Sequence, residues 1–168
     1  MCLFKGGVGG LAASVCAYLW QIHGPQYPVV IVAEPEAADC LFQSARSGMP
    51  WPSSGNLSTV MGGLACGEVS LVAWRILSKG AHAFIRVSDA EAIAAMQMLA
   101  AAQQDRPAIV AGESGAAGLA GLLACANDPR RRARLNLTSQ SEVLLIGTEG
   151  ATDPELYTRL TTACALST

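Results

Sequence analysis

Apolar and polar positions fall into blocks along the chain, and the period switches from block to block. Leu11 to Ile22 has helical character, and "HGPQYP" breaks it with a glycine and two prolines. "VVIVAE" (29–34) is an unbroken β-branched run of the kind that fills a buried parallel strand, and Pro35 stops it. "EAADCLFQSAR" (36–46) predicts a short amphipathic helix ended by Gly48, and the polar, Pro- and Gly-rich stretch 47–59 predicts a loop. Apolar residues at 69, 72, 73, 76 and 77 predict a helix within 68–80, with Gly80 as its C-cap.

The second half repeats the alternation. "HAFIRV" (82–87) reads as a strand, and 88–102 as a helix capped by Ser88 or Asp89. "PAIVAG" (107–112) predicts a short strand running into the small-residue helix 113–126. "EVLLIGTEG" (142–150) predicts a buried strand, followed by a closing helix over 153–166 with Asp153 as N-cap and Pro154 behind it. A first strand must lie near "CLF" at the start. Strands alternating with helices predict a single α/β domain over 1–168, three-layered, with a mainly parallel sheet flanked by helices.

Composition narrows the chemistry. The chain has 168 residues, 51% hydrophobic and only 14% charged, which excludes a disordered chain and suits one domain. A net charge of −2 exerts no global pull on nucleic acid or anionic membrane. The four arginines of "RRRAR" (130–134) have no interleaved aromatics and read as a solvated face. No apolar run is long enough to cross a bilayer, and the glycines between Lys5 and the apolar stretch oppose a secretory signal. Six scattered cysteines (2, 16, 40, 66, 125, 164) and two histidines supply neither a C-x-x-C pair nor a zinc site. Free thiols in a reducing cytoplasm are the expectation. Mean hydropathy of +0.34 is high for a domain standing alone and suggests surface meant for a partner.

The chemistry-bearing feature is "KGGVGGLAAS" (5–14). A strand, a glycine turn and a helix form a ready anion site, because the first helical amides are unpaired and the helix dipole favours negative charge there. A tight turn without ligand is the plain alternative. Gly7 to Ala12 also obeys G-x-G-x-x-A, and Glu34 ends the next strand where a ribose-binding acid would lie, so a dinucleotide-binding oxidoreductase module is one reading.

Five blocks in order point elsewhere: "GGVGGLAASVCAYLW", "VVIVAEPEAADCLFQSARSG", "TVMGGLACGEVS", "VAGESGAAGLAGLL" and "LLIGTEGATDPELY". Together they resemble diaminopropionate ammonia-lyase, a pyridoxal-phosphate (PLP) enzyme of the tryptophan-synthase-β-like fold, from about Phe4 to Leu160. The resemblance implies elimination of ammonia from 2,3-diaminopropionate to give pyruvate, with an amino acid as substrate. It also implies that this chain is a fragment, the C-terminal portion beginning at the phosphate loop, and that the Schiff-base lysine lies upstream.

The same resemblance assigns Gly7, Val8, Gly9 and Gly10 to the PLP phosphate through their backbone N–H groups. It places Glu113 near the cofactor ring; a helix N-terminal acid is the plain reading of that residue. Thr148 becomes a candidate for the pyridine nitrogen, since Gly147 stands where a serine or threonine is expected. Cys66 and Glu68 of "ACGE" are pocket candidates, with a small core residue and a first-turn helix acid as their plain readings. Lys5 departs from an uncharged family position, and its charge would assist phosphate binding. Neither Lys5, at the phosphate end, nor Lys79, at a helix end, suits the Schiff base, so no catalytic residue is assigned. Three readings follow: a member or fragment of the ammonia-lyases, inactive alone; a non-catalytic remnant binding a phosphate ligand or partner chain; and the dinucleotide module. A homo-oligomer, or pairing with a missing N-terminal half, is the expected assembly.

Overall fold

Val30 to Ala33 are fully buried, as an unbroken β-branched run demands, and they form the middle of a parallel sheet. The computed structural model describes residues 1–102 and 107–162. In chain order the elements are β1 (Cys2–Lys5), α1 (Gly10–His23), β2 (Val30–Pro35), α2 (Cys40–Ser47), α3 (Leu71–Gly80), β3 (Ala83–Val87), α4 (Asp89–Ala100), α5 (Ala117–Asn127), α6 (Pro129–Arg134), β4 (Leu144–Leu145) and α7 (Pro154–Thr162). The sheet order is β3-β2-β1-β4 and every pairing is parallel, with Leu3 opposite Ile31 and Ile31 opposite Ala83.

Alternate strand residues feed two cores, because successive side chains point to opposite faces. Phe4, Val30 and Val32 pack with Ala12, Cys16, Leu41 and Leu77 of α1, α2 and α3. Leu3, Ile31, Ala33 and Ile85 pack with Ala92, Met96, Ala117 and Ala120 of α4 and α5. The small residues of α5 let it lie close on the sheet. A Cβ at Gly121 would come within 2.7 Å of Ile85 Cδ1 and 2.9 Å of the Ala33 Cβ. α4 opens with a reciprocal capping box between Ser88 and Glu91, and Gln97 Nε2 donates to the Leu160 carbonyl at 2.7 Å, tying α4 to α7.

Several sequence expectations are corrected. Residues 107–112 form no strand; the stretch is exposed through Val110 and its Ile109 N–H donates only to Leu99 at the end of α4. A β-branched run needs a neighbouring strand, and β1 holds the place between β2 and β4. β4 is a two-residue end strand rather than a buried one, with Leu144 52% exposed, because among the described residues only β1 pairs with it. Gly80 lies inside α3, where a Cβ would meet Cys16 Sγ at 2.5 Å; Ala81 is the cap. α2 starts at Cys40 and α5 at Ala117, each about four residues later than the sequence pattern suggested. The end of the closing helix, 163–166, lies outside the described residues.

Candidate cofactor site

The site is built on the carboxyl ends of the strands, where open parallel sheets bind ligands. Gly6 extends the ladder by donating to the Ala33 carbonyl at 2.7 Å. A side chain there would collide with Val32 Cγ1 at 2.7 Å and Leu41 Cδ1 at 2.8 Å. The chain then turns through Gly9, whose φ of +93° lies in the left-handed region that glycine tolerates, and enters α1 without a side-chain cap. Among the described residues, nothing accepts from the N–H groups of Gly7, Val8, Gly9, Gly10, Leu11 or Ala12. Val8 and Leu11 are 45% and 37% exposed and Gly10 is exposed, so the turn is open on that side, while Gly9 and Ala12 are buried.

Three further loops converge on this turn. A Cβ at Gly7 would meet Cys66 Sγ at 3.2 Å and the Gly63 carbonyl at 3.4 Å, which places the "MGGLACGE" segment against it. Gly63 N–H donates to Ser114 Oγ at 3.1 Å, joining that segment to the loop before α5. There Glu113 is buried, 7% exposed, and its Oε1 has no hydrogen-bond partner. An orphaned buried carboxyl oxygen is costly, and such atoms mark places where a water, an ion or a ligand completes the structure. The exit from β4 closes the ring. Glu149 takes the Gly112 N–H on its carbonyl at 3.2 Å and the Gly115 N–H on Oε2 at 2.7 Å. Neither glycine can be replaced cheaply, since a Cβ on Gly115 would sit 2.5 Å from the Glu149 carbonyl and one on Gly112 would strike Gly150.

Gly7 to Gly10 thus lie together, and Gly7 and Glu113 are linked through Gly63 and Ser114. Glu113 is four residues ahead of α5, so the helix-terminus reading of it is set aside. Thr148 is exposed and lies outside this ring of hydrogen bonds; its neighbour Glu149 closes it. Ser114 and Glu149 are absent from the sequence-based candidates. The glycines flanking them, in "GESG" and "TEG", were the available signal. Glu68 is exposed and Cys66 half-buried at the edge of the turn. Lys79 is exposed on the last turn of α3, and Lys5 ends β1 opposite Ala33.

Glu34 is not placed for a ribose. It is fully buried and accepts the N–H groups of Leu41 and Phe42 at 3.2 and 2.5 Å, capping α2 from outside the helix. Burial pushes its carboxyl up to about 8, against the pull of those two amides. Asp39 is also fully buried. Burial acts to raise its pKa, but bonds from the Ser54 amide, Gln43, Ser53 and the Ser54 hydroxyl hold it below the usual carboxylate range.

Comparison with known proteins identifies the family. Residues 2–148 match the family described as "Pyridoxal-phosphate dependent enzyme". The chain belongs to the PLP-dependent enzymes. It is 39% identical over 158 residues to diaminopropionate ammonia-lyase of Escherichia coli and 38% identical over 162 residues to that of Salmonella typhimurium. Each match covers 92% of this chain and 40% of the relative, so the chain spans two fifths of the length of these curated relatives. Among solved structures, Escherichia coli diaminopropionate ammonia-lyase in complex with D-serine superposes with a TM-score of 0.86 at 36% identity, covering 97% of this chain and 41% of that one. The same enzyme in complex with an aminoacrylate-PLP azomethine reaction intermediate gives 0.84. A serine racemase from Dictyostelium discoideum, 23% identical with a TM-score of 0.72, shares the fold. The parallel sheet flanked by helices is therefore that of the PLP-dependent enzymes, and the cofactor of the family is pyridoxal phosphate. No helix among the described residues is long and apolar enough to cross a membrane.

Proposed function

We propose that this chain forms the phosphate-holding part of a PLP site in a diaminopropionate ammonia-lyase, corresponding to the C-terminal portion of that enzyme. The observation that carries the reading is the run of six unpaired amides from Gly7 to Ala12 at the head of a fourteen-residue helix. A phosphate dianion satisfies several such donors at once and gains from the dipole of α1. Gly7 and Gly9 let the turn pack closely on Cys66 and Leu77, Gly10 leaves open space at its Cα, and the orphaned oxygen of Glu113 supplies a second polar contact. The residues present fit the cofactor on both counts.

In this reading the amides of Gly7, Val8, Gly9 and Gly10 grip the phosphate, and Lys5 adds positive charge next to it. Glu113 would orient the ring from its buried position, on a loop held by the Ser114–Gly63 and Glu149–Gly115 bonds. Thr148 stands beside Glu149 on the strand exit, and its hydroxyl would meet the pyridine nitrogen. PLP, when bound, supplies the electron sink for elimination of ammonia from 2,3-diaminopropionate to pyruvate. The chain's two lysines leave it without a group to form the covalent link, so binding without turnover is the expected behaviour of the chain alone. Partner surface is then required, either from a second copy or from a lysine-bearing segment.

The test compares pyridoxal 5′-phosphate with pyridoxal by quenching of tryptophan fluorescence. The phosphate ester binds, inorganic phosphate competes with it, and pyridoxal binds at least about tenfold more weakly, the loss expected from removing charge-assisted hydrogen bonds. Equal binding of the two overturns the reading. Binding of NADH in preference to both favours the dinucleotide module.

A further inference from the structure

An open groove of about 490 Å³ lies along the outer edge of β3, and none of its lining residues belongs to the glycine turn. β3 is an end strand. His82 N–H donates to the Val30 carbonyl at 2.8 Å on the inner side, and the outer side has no strand partner among the described residues. The groove straddles this edge. Phe42 and Arg46 of α2 flank it on the face that Phe84 packs into, while Cys125, Leu135, Arg131 and Arg134 flank it on the face that Ile85 packs into.

A strand added to a sheet edge sends its side chains alternately to the two faces, so a receptor for one needs walls on both sides of the edge. This edge has both. Its charge is one-sided: three arginines line the groove and no acid does. Arg131 pairs with the exposed Asp128 at 3.4 Å, but Arg46 and Arg134 have no ion-pair partner among the described residues. In a chain of net charge −2, that concentration of cations is local.

We infer that the β3 edge accepts an extended, acidic segment of a partner polypeptide as a fifth strand, with carboxylates meeting Arg46 on one face and Arg131 and Arg134 on the other. A second copy of this chain fits poorly. Pairing β3 with β3 would bring two sets of unneutralised arginines together, and like charges across an interface oppose association.

The probe is a fluorescein-labelled peptide of about eight alternating valine and glutamate residues, a length that matches ordinary strands. Anisotropy with the full chain at low salt reads its binding. The expected result is saturable binding that falls at least about tenfold when alternate peptide nitrogens are N-methylated, because the main-chain bonds are lost while the charge is kept. Arg46→Glu combined with Arg134→Glu weakens it by a similar factor and confers binding of the valine–lysine counterpart, which the unaltered chain rejects. Urea unfolding verifies that these exposed substitutions leave the fold intact. Absence of binding at millimolar peptide, or equal binding of the N-methylated form, overturns the proposal. So does a photo-crosslink from a benzophenone amino acid at Ala83 that joins two copies of the chain.

Discussion

Glu149 and Gly115 are joined by a 2.7 Å hydrogen bond from the glycine amide to Oε2, across 34 residues of sequence. The bond fastens the exit of β4 to the loop that carries Glu113, and the Glu149 carbonyl adds a second tie to Gly112. A carboxylate accepting a backbone amide is a charge-assisted bond, stronger than a neutral one.

Glu149→Ala is therefore expected to cost about 1.5–3 kcal/mol, and Glu149→Gln less, because the amide oxygen still accepts from Gly115. Urea midpoints at constant slope measure this. PLP affinity falls with Glu149→Ala because Glu113 loses its support. Unchanged stability and affinity in that variant refute the positioning role.

Gly9 and Gly10 separate backbone from contact effects. Gly9→Ala meets a φ of +93° and Leu77, Ala73 and Leu41 within 3.0–3.2 Å of the new Cβ. It should lose about 1–3 kcal/mol together with PLP binding. Gly10→Ala has nothing within 4 Å of its Cβ and should keep its stability to within about 0.5 kcal/mol. Thermal unfolding of the two variants side by side distinguishes them.

Glu34 makes stability depend on pH in an unusual direction. Its folded pKa, about 8, lies above the ordinary value of 4.5, so the folded chain holds a proton that the unfolded chain releases. The contribution is complete below about pH 4.5 and is lost as pH rises towards 8, on the order of a few kcal/mol across that window. Glu34→Gln removes the titration and should flatten the stability profile between pH 5 and 8. A variant profile as steep as that of the unaltered chain contradicts the assignment.

Asp39 gathers Ser53, Ser54, Gln43 and Arg86, with Arg86 also stacked 4.6 Å from the Phe42 ring centroid. Asp39→Ala leaves these donors unsatisfied and frees the 48–60 loop, at a cost of about 3 kcal/mol. Faster proteolysis within that loop is the local readout.

The exposed end strand β4 and apolar residues such as Leu71 and Val72, 66% and 72% exposed, predict that purified chain self-associates away from the β3 edge. Light scattering at tens of micromolar tests this. A monomer counts against it, and Leu71→Glu should shift the distribution towards smaller species.

The hydrophobic pattern determined the types and order of most elements, the strand expected at 107–112 and the arginine-rich helix α6 excepted, because helical and strand periods differ and each amphipathic face must be buried. It marked the "KGGVGGLAAS" turn, since so many adjacent glycines serve a backbone need, and the five ordered blocks carried the family. What it left undecided depends on contacts between distant residues. Residues 107–112 carry a strand-like run, yet among the described residues no strand lies beside them. "EVLLIGTEG" is apolar enough for a buried strand, but its position at the sheet's end leaves only two residues paired. Glu34 has the sequence position of a ribose-binding acid, and only the arrival of α2 shows its carboxyl group used as an internal cap. The partners of Glu149 and the orphaned oxygen of Glu113 likewise arise from loops brought together on the sheet's carboxyl edge. Local periodicity reports which face is buried; it carries no information on which groups remain without a partner after folding.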